Sequence, residues 1–155
     1  MIENLDPEYF MNLAFHLSKK AFEIDEVPVG AVIIYKNQVI GTGYNKKEND
    51  NLVTSHAELI AINEASKTLN NWRLIDCEMY VTLEPCPMCA GAIIQSRLSK
   101  VFYGAKNTNY GSFESILRLQ DYYPDSKNIQ IFSGLMEEEV VKLLKHFFRK
   151  KVNKK

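Results

Sequence analysis

The chain has 155 residues, of which 46% are hydrophobic and 25% are charged, and its 19 basic and 19 acidic residues give a formal net charge of zero. This composition excludes an intrinsically disordered chain, in which hydrophobic content is low and net charge is high. The length suits a single domain, and we expect one domain over residues 1–155.

The sequence also bears on the compartment. No stretch approaches the roughly 20 consecutive apolar residues that span a bilayer, and the first six residues lack the basic and apolar segments of a secretion signal. Three cysteines, two of them in one Cys-x-x-Cys pair, do not make a disulfide framework. We therefore expect a soluble cytoplasmic protein without a membrane partner.

The hydrophobic pattern predicts an opening helix and hairpin, followed by strands that alternate with helices. Asp6 caps the first helix, Pro7 occupies its first position, and apolar residues recur every three or four positions to about residue 22. The segments that follow are, in order, an antiparallel hairpin (29–35 and 39–44), a polar loop (46–54), a helix capped by Thr54 or Ser55 with His56 in its first turn, a strand (77–83), a helix (89–95), a strand (100–103), a loop (104–111), a helix (113–119), a strand (129–132) and a last helix (137–151). This order predicts an α/β fold in which helices cover a mixed sheet.

The last predicted helix has an uneven distribution of charge. Residues 137–139 are all glutamate, whereas residues 142–155 include seven Lys or Arg and no acidic residue. Acids at the start of a helix and bases near its end suit the helix dipole. The charge pattern alone therefore favours an ordinary capped helix over an RNA-binding surface.

Two short motifs supply residues for a metal site. Cys86 follows Pro85 directly and Cys89 lies three residues further on, while His56 lies 30 residues before Cys86 and two residues before Glu58. Both motifs are predicted at helix N-termini, where the dipole favours the thiolate form of cysteine. Two thiolates and one imidazole suit zinc, and a set of three protein ligands leaves a position for water, as in catalytic zinc sites. Glu58 would be an acid beside the metal without being a ligand.

Each motif alone has a simpler interpretation. Cys-x-x-Cys also occurs in redox dithiols and in structural zinc ribbons. A ribbon needs a second pair, and the remaining cysteine, Cys77, lies in an apolar run where a buried thiol is expected. A thioredoxin-like pair usually follows the first strand, whereas this pair lies in the middle of the chain. His56 alone would be an ordinary residue at the start of a helix.

In combination, His-x-Glu followed by Pro-Cys-x-x-Cys is the established signature of zinc-dependent nucleobase deaminases. The sequence around this signature resembles the bacterial tRNA adenosine deaminases of the cytidine deaminase-like superfamily, which convert adenosine to inosine at the first anticodon position. The resemblance extends through nearly the whole chain. The segments that carry it most densely are 26–32, 43–45, 56–58, 71–74, 80–97 and 147–149.

The resemblance implies a fold, a cofactor and a mechanism. The fold would be a three-layer α/β/α cytidine deaminase-like fold with a central mixed five-stranded sheet. One zinc ion (Zn2+) per subunit would be held by His56, Cys86 and Cys89. A zinc-bound hydroxide would attack C6 of the adenine, Glu58 would shuttle protons to the ring and to the amine, and ammonia would leave.

The resemblance also implies which residues contact the substrate. Asn45 matches an asparagine that hydrogen-bonds the target base, although by itself it would be an ordinary turn residue. The other matched positions are Val27, Pro28, Ala57, Leu83, Asn107 and Arg149. Asn107 stands where many members carry Asp near the sugar of the nucleotide next to the target, and Glu114 stands where Gly is frequent.

The partners that the resemblance implies are the tRNA anticodon stem-loop and a second copy of the chain in a homodimer. Basic C-terminal helices in this family approach the anticodon stem, so Arg97, Arg149 and the terminal lysines would hold phosphates, which position RNA without reading its sequence. Met88, Ile93 and Ile94 are candidates for the dimer interface.

Two rival functions remain open at this point. A deaminase of a free base or nucleoside, such as guanine or cytosine, would need neither RNA nor the basic helix. A zinc-stabilised RNA-binding module without catalysis would have no use for Glu58, because a purely structural site does not need a carboxylate beside an open coordination position.

Overall fold

The computed structural model describes residues 5–153. Its elements are helix α1 (Pro7–Glu23), strands β1 (Gly30–Tyr35) and β2 (Gln38–Tyr44), helix α2 (Lys47–Asp50), helix α3 (Ala57–Leu69), strand β3 (Cys77–Leu83), helix α4 (Pro87–Gln95), strands β4 (Lys100–Ala105) and β5 (Gln130–Phe132), and helix α5 (Glu137–Asn153). Two short 3-10 turns lie between β4 and β5. Residues 1–4, which belong to the N-terminal stretch without the features of a secretion signal, lie outside the described residues. Lys154 and Lys155, two of the lysines expected to hold phosphates, also lie outside them.

The strands form one mixed sheet in the order β2-β1-β3-β4-β5. β1 is antiparallel to β2 and β3, whereas β4 is parallel to β3 and β5. This confirms the predicted mixed five-stranded sheet. Because β3 and β4 are parallel and Leu83 pairs with Ala105, the loops that leave their carboxyl ends start side by side. The first of these loops carries Cys86 and the second carries Asn107.

Alternate residues of the strands face opposite helical layers, as the period of a strand requires. The face toward α3 and α4 buries Ile33, Met79, Val81, Val101 and Tyr103. The other face packs Val32, Ile34 and Tyr80 against Phe10, Met11 and Ala14 of α1. α5 joins α1 on this face, where Val140 is buried and the ring of Phe147 lies against that of Phe22. Helices thus cover both faces, which confirms the three-layer α/β/α fold. None of the helices within residues 5–153 has the length and apolar character that a bilayer crossing requires.

The helix predicted over 113–119 is wrong. Backbone N–H groups of Phe113, Glu114 and Ser115 donate to the carboxylate of Glu84, and the segment forms turns. Further along, the N–H groups of Ile116 and Leu117 both donate to the carbonyl oxygen of Gly111, five and six positions back instead of four. The chain therefore coils more widely here than an α-helix does.

The polar loop predicted over 46–54 contains the short helix α2. The buried carboxylate of Glu26 accepts hydrogen bonds from the N–H groups of Glu48 (3.1 Å) and Asn49 (2.7 Å), two of the groups that a helix start leaves without an internal partner. A distant acid thus stabilises a turn of helix in a segment that by its own sequence is a loop.

The predicted starts of two other helices shift. α3 begins at Ala57, so His56 is its N-cap and lies before the first turn, and neither Thr54 nor Ser55 caps it. The Ser55 hydroxyl donates instead to Asp50 at 2.9 Å. α4 begins at Pro87, ahead of the predicted residue 89, with Cys86 as N-cap.

Two of the residues proposed for the dimer interface are not on the surface. Ile93 and Ile94 are buried in the core of the chain itself, where they pack beneath the sheet with α3. The short apolar run of α4 contributes to the interior of the monomer, so the interpretation of these two residues as interface material is wrong. Met88 is half-buried.

Candidate metal centre and active site

The N-termini of two helices meet beside the carboxyl end of β3. His56 is the N-cap of α3 and Cys86 the N-cap of α4, and Cys89 lies in the first turn of α4. Nδ1 of His56 lies 3.7 Å from Sγ of Cys86 and 3.5 Å from Sγ of Cys89. The ligand atoms of the three residues all lie within 4.8 Å of one another, so the group could hold a metal ion.

The donor set and its spacing fit zinc. Two sulfurs and one imidazole nitrogen are softer ligands than Mg2+ or Ca2+ prefers. In a tetrahedral site with Zn–S of about 2.3 Å and Zn–N of about 2.1 Å, a sulfur and a nitrogen ligand lie about 3.6 Å apart. The two sulfur-to-nitrogen distances in this chain, 3.7 and 3.5 Å, fall on either side of that value.

The two thiols differ in their affinity for a proton. A hydrogen bond with Cys89 is the largest cause that lowers the pKa of Cys86 to about 4, and the hydrogen bond with His56 lowers it further against the effect of burial. The pKa of Cys89 is raised, first by its hydrogen bond with Cys86 and then by burial. The shared hydrogen bond thus favours the thiolate form of Cys86 and the thiol form of Cys89, and a bound cation would favour the thiolate form of both.

Glu58 lies in the first turn of α3, two residues after His56. Its side chain is buried, and burial is the largest cause that raises its pKa to about 7. A hydrogen bond with Cys89 places the carboxyl group next to the possible metal ligands. A carboxyl group with a pKa near 7 can both take up and release a proton at neutral pH.

A cavity of about 1210 Å³ opens in front of this group, and Glu58, His56 and Cys86 line it. Five of the residues predicted to contact substrate also line it: Val27, Asn45, Ala57, Leu83 and Asn107. The cavity lining, as far as residues 5–153 define it, includes neither Pro28, which is buried, nor Arg149, which is exposed on α5. The fold thus gathers these residues from five separate segments around one opening.

Asn45 lines this cavity and has a buried acceptor. Its Nδ2 donates to the backbone carbonyl of Val27 at 3.4 Å, which fixes the orientation of the amide. Its Oδ1 is buried and has no hydrogen-bond partner within the described part of the chain. A buried acceptor without a partner costs free energy unless a ligand supplies a donor.

One wall of the cavity was not predicted. Leu144, Phe147, Phe148 and Lys151 of α5 all line it. Their spacing of three and four residues puts them on one helix face, a signal that the sequence contains. The end of this wall is joined to the loop after α1, because Nζ of Lys151 lies 2.6 Å from a carboxylate oxygen of Asp25.

Two buried acids, Glu26 and Glu84, were also missed. Each accepts hydrogen bonds from backbone N–H groups of a loop that lines the cavity. Each acid lies one or two residues before a proline, and this local pattern does not predict a hydrogen-bond partner elsewhere in the chain.

Comparison with known proteins points to one group of enzymes. A family model described as MafB19-like deaminase matches residues 5–151. The tRNA-specific adenosine deaminase of Bacillus subtilis (strain 168) is 40% identical to this chain over 148 residues, which cover 96% of this chain and 92% of that protein.

Two solved structures are also similar. One belongs to a study of A-to-I editing by tRNA:A34 deaminases at the wobble position of transfer RNA. It is 39% identical, has a TM-score of 0.82, and the match covers 87% of this chain and 98% of that one. The other is guanine deaminase from Bacillus subtilis, which is 38% identical with a TM-score of 0.64 over 68% of each chain.

Proposed function

We propose that this chain, which belongs to the family of tRNA-specific adenosine deaminases, converts adenosine to inosine at the first anticodon position of tRNA by hydrolytic deamination. The observation that carries the proposal is the position of Glu58 next to His56, Cys86 and Cys89, at a cavity wide enough for a nucleotide. This arrangement supplies residues for both parts of the reaction. The three possible metal ligands would serve the activation of water, and Glu58 would transfer the protons.

His56, Cys86 and Cys89 would hold one Zn2+ per subunit. When bound, the ion supplies a Lewis acid that lowers the pKa of a water molecule to roughly 7. The match between the observed sulfur-to-nitrogen distances and those of a tetrahedral zinc site supports this assignment.

Glu58 would move the protons. It accepts a proton from the water that adds to C6 and delivers it to the ring nitrogen. It then accepts the second proton, from the new C6 hydroxyl, and delivers it to the exocyclic amine, so that the C6–N bond breaks, C6 becomes a carbonyl and ammonia leaves. A pKa of about 7 supports both roles, because the same group must be a base in the first step and an acid in the last.

Asn45 would orient the base. Its buried Oδ1 lacks a partner within residues 5–153 and can accept a hydrogen bond from the base. Val27 and Leu83 would form apolar walls, and Ala57 would lie at the floor between His56 and Glu58. Three further residues would act around the bound base. Asn107 would lie near the sugar of the next nucleotide, and Arg149 would contact a phosphate outside the cavity. Pro28 would support the apolar wall from behind.

The chain would act as a homodimer in the cytoplasm, with residues 1–155 as one domain. Family membership supports the dimer, and an RNA substrate supports the compartment. Light scattering coupled to size exclusion tests the dimer, since a monomer has a mass of 17.8 kDa and a dimer twice that value.

Deamination of free guanine is a second candidate, because a guanine deaminase is among the similar structures. The wall from α5 favours the RNA substrate, since it brings the side chains of Lys151 and the half-exposed Phe148 to the mouth of the cavity. A free base would leave this wall without a function.

The decisive experiment is incubation of the zinc-loaded protein with an unmodified anticodon stem-loop that has adenosine at the first anticodon position, followed by nucleoside analysis. A stem-loop with that adenosine moved to the second position is the matched control, and free guanine, cytosine and adenosine are assayed alongside. Inosine from the first stem-loop alone is expected. Ammonia from a free base without inosine in RNA would establish the second candidate instead.

A further inference from the structure

The carboxylate of Glu84, directly after β3, is buried and holds a loop of the cavity. It accepts hydrogen bonds from the backbone N–H groups of Asn107 (3.1 Å), Phe113 (3.1 Å), Glu114 (2.8 Å) and Ser115 (3.0 Å), and from the Ser115 hydroxyl. These donors come from both ends of one loop, residues 107–115. A single side chain thus closes the loop on itself.

Part of the 107–115 loop lines the cavity. Asn107, Thr108, Asn109 and Tyr110 line the cavity. Within the loop, Oδ1 of Asn107 accepts hydrogen bonds from the N–H groups of Asn109 (3.3 Å) and Tyr110 (3.1 Å). The side-chain amide of Asn107 is thus held by its own loop, and its backbone N–H is held by Glu84.

The loop lies so close to Glu84 that it tolerates no side chain at one point. A Cβ atom on Gly111 would be 2.3 Å from Oε1 of Glu84 and 2.6 Å from the carbonyl oxygen of Asn107. Such distances are far inside van der Waals contact. Any larger residue at position 111 would push the loop away from the carboxylate.

Glu84 has no ion pair within residues 5–153. Its buried charge is compensated by N–H groups of the loop, and buried charges require such compensation. The loop also contacts the turn that carries Cys86. The backbone N–H of Ser112 donates to the carbonyl oxygen of Pro85 at 2.9 Å, and Cys86 is the next residue after Pro85. Loop and metal-binding turn are thus joined through Glu84 and Pro85.

We propose that Glu84 is a positioning residue, which holds the 107–115 loop at a set distance from the turn of Cys86 so that the nucleotide next to the target is placed relative to the reacting base. This inference rests on the proposed function. Glu84 acts through Asn107 and its neighbours, so its loss weakens the binding of the RNA more than it slows the chemical step.

Glu84→Gln is the first test. The amide has almost the volume of the carboxylate, but its NH2 group faces N–H donors, which leaves part of the loop without an acceptor. We expect KM for the stem-loop to rise roughly tenfold or more, while kcat changes by less than about threefold and bound zinc, measured by metal analysis, stays at the wild-type ratio.

Two further variants disturb the same contact from the side of the loop. Gly111→Ala leaves Glu84 intact and displaces the loop from it, so a KM increase like that of Glu84→Gln is expected. Ser115→Ala removes one donor of five and should give a smaller increase in the same direction. Should Glu84→Gln fail to fold, these two variants still decide the question.

The control for lowered stability is Ile33→Ala, a buried residue of β1 that pairs with β2 and β3 and not with the 107–115 loop. Hydrogen exchange of the protein without RNA provides a second measurement. Glu84→Gln should speed exchange at the amides of 107 and 113–115, but not at 77–83. The Ile33→Ala control should not show this selectivity.

The inference is overturned if KM rises no more in Glu84→Gln and Gly111→Ala than in Ile33→Ala, or if exchange at 107 and 113–115 is unchanged. A wild-type protein that deaminates only a free base would refute the proposed function instead. The role in placing a neighbouring nucleotide would then fall with it, while the exchange measurement still tests whether Glu84 holds the 107–115 loop.

Discussion

Gly43 of β2 lies so close to Ala57 of α3 that a Cβ atom on the glycine would be 2.3 Å from the backbone carbonyl oxygen of Ala57. Ala57 stands between His56 and Glu58. The contact between sheet and helix therefore sets the position of a possible metal ligand and of the proposed proton carrier at the same time.

Gly43→Ala should destabilise the protein by about 1–3 kcal/mol, because backbone atoms of α3 must move to admit the methyl group. Gly91→Ala is the matched control. Apart from its chain neighbours and the backbone of its own helix, no atom of residues 5–153 lies within 4 Å of a Cβ at that position, in the middle of α4. Alanine is favoured over glycine in a helix by about 0.5–1 kcal/mol. Urea denaturation measures both, and equal stability losses would contradict the close-contact argument.

Glu58→Gln should lower kcat by roughly 100-fold or more, since general acid–base groups contribute 10²–10⁴-fold. Bound zinc and the melting temperature should change little, because the volume is kept and Glu58 is not a proposed ligand. Glu64→Gln, on the exposed side of the same helix, is the control and should retain full activity. Ammonia release at the wild-type rate by Glu58→Gln would exclude the proposed mechanism.

Cys86→Ser and Cys89→Ser should each lose most of the bound zinc, because the site has three protein ligands and a hydroxyl is a weak substitute for a thiolate. Chelation of the metal should lower the melting temperature of the wild-type protein, as removal of any ligand of the folded state does. Cys77→Ala is the control: this cysteine is buried away from the site, as the sequence predicted, and burial is the largest cause that raises its pKa to about 11. Equal zinc content in Cys86→Ser and Cys77→Ala would refute the ligand assignment.

Lys151→Ala should raise KM for the stem-loop and reduce the slope of log KM against log salt by about 1 if the lysine contacts a phosphate. Lys142→Ala, on the same helix but exposed and outside the cavity lining described above, should change neither. Activity on free guanine, if present, should be the same in both variants. A KM for RNA that does not respond to Lys151→Ala would remove Lys151 from the RNA-binding surface.

Lys151→Ala tests the role of α5 in RNA binding more sharply than a truncation that removes the chain after Leu144. Such a truncation would delete Phe147, which is buried and lies against Phe22 of α1 with ring centroids 6.1 Å apart. Loss of RNA activity could then reflect lost packing between α1 and α5. Phe148→Ala, at a half-exposed position that lines the cavity, avoids this difficulty.

The amino-acid sequence by itself predicted the group of possible metal ligands and most of the sheet. His56, Cys86 and Cys89 could be predicted as one group because ligand chemistry is a property of the side chain and the Cys-x-x-Cys spacing is local, and the structure brings the three together. The strands followed from apolar periodicity, which depends on neighbours along the chain. The resemblance then supplied the expected placement of Asn45 and Asn107 near the same site, and both line its cavity.

Only the tertiary structure decided how the loops around the cavity are held. Glu84 and the N–H groups that it accepts from are 23 to 31 residues apart, and Glu26 and its partners are 22 and 23 apart. Local propensity carries no information about a partner at such a distance, which is why a helix was expected at 113–119 and a loop at 47–50. A buried backbone N–H group needs a hydrogen-bond acceptor, and that acceptor can come from a residue that is distant in the sequence. For the 107–115 loop, Glu84 becomes the partner because the sheet brings the ends of β3 and β4 side by side.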